Sequence, residues 1–437
     1  MAKKIIVAGG GHGGIGCAAL LAEAGFDVTV YERHSRENMG YDWTDIFNSK
    51  SFSEIGVDMP DESKLLPMHN MSFCSPSAKM ILRNNIDEAR GSDIKMERKE
   101  IYNVIIDKAE KAGVKFEYET EIISPVMAGD RVIGIKTDKG DILGDLVIDA
   151  CGCESPIRSQ LPECCGIEKN MKELEKFYVY RAFYNRADTN EVLDKYKVYM
   201  LPKGVFGIAW VADDEDYSDI LIGSFSPLTK EEALERAEYF RAENPVLGTE
   251  LLRGGEMVTI PVRQTLAVMV ADGYAAIGDS AFMTVPIIGS GIANSFRAAK
   301  ILADTIIKDK TETYSAETLW DYEYNYQTKI GFPLSSMALV KLMLGKIKPE
   351  QLDYMFESRI ITINELSVSD EGGGLIDINA ELINKGKAMI KDRNLTGHFL
   401  SLAKSMAILA AVNKQLPKHY GRYAVKQWAD KYNAIFK

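Results

Sequence analysis

Gly9-Gly10-Gly11-His12-Gly13-Gly14, entered from the apolar run Ile5-Ile6-Val7-Ala8 and left through Cys17, Ala18, Leu20, Leu21 and Ala24, decides how this chain is read. The apolar run has the length of a strand, and the residues after the glycines recur at helical spacing until Gly25 stops them. Val28 and Val30 then begin a second strand that closes at Glu32, 18 positions after Gly14. Strand, G-x-G-x-x-G turn, helix, strand and terminal acid in that order predict a βαβ unit that holds a dinucleotide. Gly9 permits the tight turn, Gly11 the close approach of a diphosphate, and Gly14 the packing of helix on sheet. The helix N-terminus offers N–H groups and a positive dipole to the phosphates. His12 and Gly13 complete the loop, and Glu32, with Arg33 beside it, accepts from a ribose hydroxyl.

Outward from this unit, residues 35–94 are loop-rich and show no clean period. Residues 97–112 predict an amphipathic helix, and 114–122, 132–137 and 146–149 predict strands, with Asp138-Lys139-Gly140-Asp141 as the turn between the last two. Alternation through 177–225 predicts an antiparallel sheet with one wet face. Residues 230–243 read as helix, 260–279 as strand and 295–307 as helix. Beyond Thr311 helix dominates, broken at Glu371-Gly372-Gly373-Gly374.

A length of 437 residues suggests two or three folding units, and 46% hydrophobic with 26% charged residues is the balance of a soluble globular protein. No uninterrupted apolar run approaches the roughly 18 residues of a spanning helix. The four apolar residues after Met-Ala-Lys-Lys are too few for a signal peptide. Six cysteines in so long a chain point to a reducing, cytoplasmic setting rather than a disulfide framework. Lys plus Arg total 52 against 63 Asp plus Glu, and the net charge of −11 argues against nucleic acid as a partner. The tail differs: from His398 onward Asp430 is the only acid. Phe399, Leu402, Met406 and Leu409 recur there at helical spacing among lysines. This is either a core-facing helix with a solvated face, or a segment that docks on an anionic membrane surface or an acidic partner.

Asp149-Ala150-Cys151-Gly152-Cys153-Glu154-Ser155-Pro156-Ile157-Arg158 resembles the D-x-x-G-x-x-S-x-x-R stretch of flavoproteins. Gly278-Asp279-Ser280-Ala281, continuing to Pro286, Gly289, Gly291 and Ile292, resembles their G-D-A-A and P-x-x-G-x-G motif. On these residues the chain resembles the geranylgeranyl reductase and aromatic hydroxylase (p-hydroxybenzoate hydroxylase-like) flavoprotein superfamily over about residues 4–308. The resemblance implies an α/β fold with a Rossmann-type FAD domain, an antiparallel-sheet substrate domain and a helical C-terminal region. The expected FAD domain is discontinuous (1–60, 95–160, 256–310), the substrate domain comprises 61–94 and 161–255, and the helical region 311–437. It also implies non-covalent FAD, with Gly152 in the first motif, Arg98 approaching the phosphates and the Ile122 backbone meeting the adenine. Asp279 can accept from a ribityl hydroxyl. Pro286 shapes the turn beside the ring, and Gly289, Gly291 and Ile292 present N–H groups where charge gathers on reduction.

Lys197-Val198-Tyr199-Met200-Leu201-Pro202-Lys203-Gly204 resembles the Y-x-W-x-F-P-x-G stretch of geranylgeranyl reductases, but Lys197 and Tyr199 replace its two leading aromatics. The implied activity is oxidation or reduction of a carbon–carbon bond in a small apolar or conjugated molecule, by hydride transfer at flavin N5. The alternative is a monooxygenase that hydroxylates an aromatic or similar molecule and uses NAD(P)H as a transient reductant. Trp43 (stacking), Asp45 (orienting or protonating) and Tyr199 are the candidate catalytic residues, and Trp43 and Tyr199 read equally as packed core. His69 reads as structural. Cys151, Cys153, Cys164 and Cys165 lack C-x-x-C spacing and read as packing rather than a metal site.

Overall fold

The computed structural model describes residues 3–84, 92–187, 193–366 and 388–437. Strand β1 (Lys4–Ala8), helix α1 (His12–Glu23) and strand β2 (Asp27–Tyr31) form the expected unit, with β1 and β2 parallel and Ile5 opposite Val28. Ile5, Ile6, Val7 and Ala8 are fully buried, because both faces of β1 are covered. The chain then makes β3 (Thr44–Asn48), returns antiparallel through β4 (Asp93–Glu97) and runs straight into α2 (Arg98–Ala112). After Lys115–Glu117 joins β2, a three-stranded antiparallel sheet over residues 122–143 leads to β5 (Leu146–Asp149), which lies parallel to β1.

Strands β6 (Lys176–Arg186) and β7 (Leu247–Pro261) belong to a second, seven-stranded sheet. The chain re-enters the first sheet at Val270–Ala271 and β8 (Tyr274–Ala276), and α3 (Ile292–Lys308) closes over α1. The order across the six-stranded sheet is Val270–Ala271, β8, β5, β1, β2, Lys115–Glu117. Met71–Cys74 and Ile81–Arg83 complete the seven-stranded sheet, the former pairing parallel with Tyr196–Met200. The C-terminal part contains α4 (Phe332–Leu344), α5 (Arg393–Asn413) and α6 (Arg422–Ala434).

Several elements depart from the sequence reading. The predicted strand 114–122 is cut short at Glu117: Glu119 adopts a left-handed conformation (φ 51°), and the chain turns so that Thr120 N–H reaches the Glu32 carbonyl. The strand predicted over 260–279 is mostly extended loop with two short strands. The second sheet has no wet face along β6. Helix Lys230–Glu243, started by a Thr229/Glu232 capping box, covers one side, and Trp43, Phe177, Val179, Phe183 and Val258 fill the other. In α5, Leu402 and Leu409 are buried, while Phe399 and Met406 are half-buried. By length and composition this 21-residue helix could cross a membrane, because Arg393 and Lys404 are its only charged residues. The predicted break at Gly372-Gly373-Gly374 lies outside the described residues.

Candidate functional site

A cavity of about 620 Å³ runs from the α1 N-terminus, between the two sheets, to the N-terminus of α3. At its first end, β5 presses on the glycine loop. A Cβ on Gly9 (φ 87°) would sit 2.7 Å from the Ala150 carbonyl oxygen, one on Gly11 2.9 Å from the same atom, and one on Gly14 2.6 Å from the Ala150 Cβ. Three glycines are thus demanded by one neighbour, and the loop is shaped by contact with the sheet. The N-cap of α1 is Gly11, which has no side chain to satisfy the first-turn N–H groups, and no acid lies in that turn. These donors, with Gly13 and Gly14, line the cavity. Glu32 accepts from Gly10 N–H at 2.7 Å and from His34 N–H at 2.9 Å, bracing the loop from the ribose side. Arg33 is exposed at the rim, and Thr120, Glu121 and Ile122 border it where the chain turned away from the sheet.

In the middle, Arg98 donates to both Asp45 oxygens at 2.6 and 2.5 Å, each side chain being 15% exposed. Arg98 also lies over the rings of Tyr41 (5.1 Å) and Trp43 (5.5 Å). Burial alone would raise the Asp45 carboxyl, but the charge and hydrogen bonds of Arg98 outweigh it and hold the group below its ordinary value. Of the two roles expected of Asp45, orienting or protonating, this geometry fits the first, with the carboxylate as the anion that positions Arg98. His12 stacks on Tyr102 at 4.3 Å between centroids. Burial, aided by the Arg98 charge, pushes its pKa down to about 3, so the imidazole is neutral, and its buried Nε2 has no partner.

At the far end, the Asp149 carboxylate accepts from Ser155 Oγ (2.5 Å), Tyr274 OH (2.8 Å), Ser280 Oγ (3.0 Å) and Cys151 N–H (3.0 Å). Arg158 donates to the carbonyls of Ser280 (2.5 Å) and Cys153. The two later motifs are thus one bonded unit, in which Gly152 (φ 85°) donates to Ser280 Oγ at 2.9 Å. Asp279, half-buried in the wall, accepts from Thr284 Oγ1 at 2.7 Å. Its removal from solvent raises its carboxyl, and the single bond from Thr284 leaves lone pairs for a further donor. Gly289, Gly291 and Ile292 line the cavity, and Gly291 caps α3 without a side chain. Pro286 does not: it is buried in the turn closed by Val285 N–H and the Ser290 carbonyl.

The roof is the face of β7 carrying Glu256, Val258 and Ile260, with Trp43 (4% exposed) packed between sheet and cavity. Arg181 fixes this corner by donating to the Thr44 carbonyl and hydroxyl at 2.6 and 2.7 Å and to Asp219 at 2.6 and 3.0 Å. Tyr199 lies elsewhere. Strand alternation turns it to the helix-covered face, where it packs on Phe240 and bonds Asn244, so its candidacy for catalysis is corrected to packing. His69 lies 3.6 Å from Asp214, beside the Lys95–Asp214 pair and away from the cavity. Cys151 and Cys153 donate to the carbonyls of Ala8 and Thr259. Among the described residues no group of three His, Cys, Asp or Glu side chains is placed to hold a metal.

The sequence reading missed Tyr41, Tyr102, Thr284 and Glu256. Glu256 follows Gly254 and Gly255, both at positive φ, where the pairing with β6 slips by one residue and re-aims the strand. That Gly-Gly pair was the available signal. No ion pair or hydrogen bond engages the Glu256 side chain among the described residues.

These features fit FAD. Two uncapped helix N-termini, an orphaned His12 Nε2 and an under-used Asp279 carboxylate lie along one cavity of suitable size. A family profile described as an FAD binding domain matches residues 2–327. Digeranylgeranylglycerophospholipid reductase 2 of Methanococcoides burtonii is 25% identical over 415 residues, covering 89% of this chain and 96% of its own. The structure of a geranylgeranyl bacteriochlorophyll reductase-like protein from Thermoplasma acidophilum superposes with a TM-score of 0.72 at 18% identity, covering 92% of this chain and 99% of that one. The FAD-dependent monooxygenase-type protein PqsL of Pseudomonas aeruginosa shares the fold with a TM-score of 0.59 at 20% identity, covering 82% and 100%. The chain belongs to the FAD binding domain family and is an FAD-dependent oxidoreductase of the geranylgeranyl reductase and aromatic hydroxylase superfamily.

Proposed function

We propose that this oxidoreductase saturates a carbon–carbon double bond in an apolar substrate of the isoprenoid type, the class named in its curated relatives. One observation carries the reading. The roof opposite the α3 N-terminus is a continuous apolar wall of Trp43, Val258 and Ile260, interrupted by the unpaired carboxyl of Glu256. When bound and reduced, FAD supplies a hydride from N5 to one carbon of the double bond. Glu256 relays a proton from water, to which its side chain is open, to the neighbouring carbon. Trp43 excludes water and aligns the chain of the substrate. Arg98 and Asp45 hold the middle of the cofactor and move no proton. NAD(P)H is the proposed reductant, visiting transiently, because the chain carries a single dinucleotide fingerprint.

The second reading, hydroxylation, draws on the fold shared with PqsL and on Lys197 and Tyr199, which depart from the reductase stretch. The two separate in one experiment. Reduced enzyme is mixed with a geranylgeranyl lipid in D2O without oxygen, and again under ¹⁸O₂. Saturated product carrying solvent deuterium in the anaerobic arm supports the proposal. A product that forms only with oxygen and carries ¹⁸O overturns it.

A further inference from the structure

Helix α5 has two different faces. Leu395, Leu402, Leu409 and Val412 are buried, seating it on α4 and the body of the protein. On the opposite side Leu400 (67% exposed) and Ile408 (44%) stand in solvent with the small residues Ala403, Ala407 and Ala411, and Lys404 is the only charge in that row. Two more large apolar side chains of this C-terminal part are exposed: Ile390 (70%), three residues before the helix, and Tyr423 (74%), in the first turn of α6. Monomeric proteins seldom leave apolar side chains so grouped without a partner.

Charge identifies that partner. Between Arg393 and Lys437 there are eight Lys and Arg and a single acid, Asp430, which pairs with Lys426 at 2.7 Å, in a chain whose net charge is −11. The cations at 404, 414, 418, 422, 426 and 431 are exposed. The apolar row is thus framed by positive charge on an otherwise strongly acidic molecule. An apolar strip with few charges and basic residues before and after it is the composition of a helix that lies in a lipid interface. A helix held along its length by Leu395, Leu402 and Leu409 lies flat against the body of the protein.

We propose that the exposed face of α5, with the start of α6, docks the protein on an anionic phospholipid bilayer. The proposal stands apart from the choice of reaction. Flavin-loaded, full-length protein is sedimented with vesicles of phosphatidylcholine alone or mixed with phosphatidylglycerol. Binding to the mixed vesicles, absent on the neutral ones and lost in high salt, is the expected result. Leu400→Glu with Ile408→Glu abolishes it at low salt. Lys404→Glu with Lys414→Glu and Lys418→Glu lowers the partition by roughly tenfold or more. Both variants are surface changes, and unchanged flavin absorbance shows that they fold. Equal recovery on the two vesicle types, or indifference to Leu400→Glu and Ile408→Glu, overturns the proposal. So does a dimer in sedimentation velocity that these substitutions split, which assigns the face to a second copy. Protein that resists alkaline carbonate extraction makes α5 a spanning helix and overturns it as well.

Discussion

The two ends of the cofactor cavity are made differently. The diphosphate end is a single continuous segment, residues 9–14, whose work is done by backbone N–H groups and by the absence of side chains. The ring end is assembled from Trp43, from Glu256, Val258 and Ile260, and from residues 284–292, each from a different element. A site built from backbone tolerates no added atoms and has few alternatives. A site built from side chains on several elements tolerates change at any one of them, and this is where relatives with one fold can differ in chemistry.

Substitutions test that contrast in order of severity. Gly14→Val drives a side chain into Ala150 and Val7, and purified protein should be colourless or insoluble, with no absorbance near that of bound flavin. Retention of full flavin content would show that the loop has more room than its contacts imply. Asp45→Asn leaves Arg98 without its counter-charge in a largely enclosed place, at a cost of about 3 kcal/mol in urea unfolding. Replacing Arg98 with Met as well should recover part of that loss. Glu256→Gln should keep normal flavin content and folding while slowing saturation of the double bond by roughly 100-fold, measured in single turnovers. Unchanged turnover would remove Glu256 from the chemistry.

Glu323, which belongs to neither end, gives a control. Burial pushes its carboxyl from 4.5 up to about 8, although it accepts hydrogen bonds from Met269 N–H and from Gln327. Its folded pKa exceeds its unfolded one, so its contribution to stability is complete in acid and is lost as pH rises from about 4.5 to about 8, then stays constant. The decline should approach roughly 5 kcal/mol, about 1.4 kcal/mol for each unit by which the group is raised, read as denaturation midpoints across that range. Glu323→Gln should flatten it without touching the flavin spectrum. Smallest of all, Tyr199→Phe removes the hydroxyl that donates to Asn244 Oδ1 and accepts from its Nδ2, and should cost about 1 kcal/mol with no change in turnover, in keeping with its place on the far face of the sheet.

What the sequence disclosed follows the same divide. The βαβ unit was legible because strand, glycines, helix and Glu32 are consecutive, and the two later motifs because each is a short run of turn-forming residues. The role of Asp45 stayed open between orienting and protonating because its partner, Arg98, is 53 positions away and no local pattern joins them. Tyr199 stayed open between core and pocket because alternation fixes which residues share a face but not which face meets the cavity, and that depends on the helix over residues 230–243. Glu256 was overlooked because its direction is set by a one-residue slip against β6. The break of the strand at Glu117 needed a left-handed Glu119, a conformation that composition does not announce.

The pressing of Ala150 against Gly9, Gly11 and Gly14 means that the anion cradle is finished by the polypeptide itself. Any side chain introduced at these three positions meets Ala150 first, so variation in the cradle is policed by the polypeptide's own interior and not by the nucleotide.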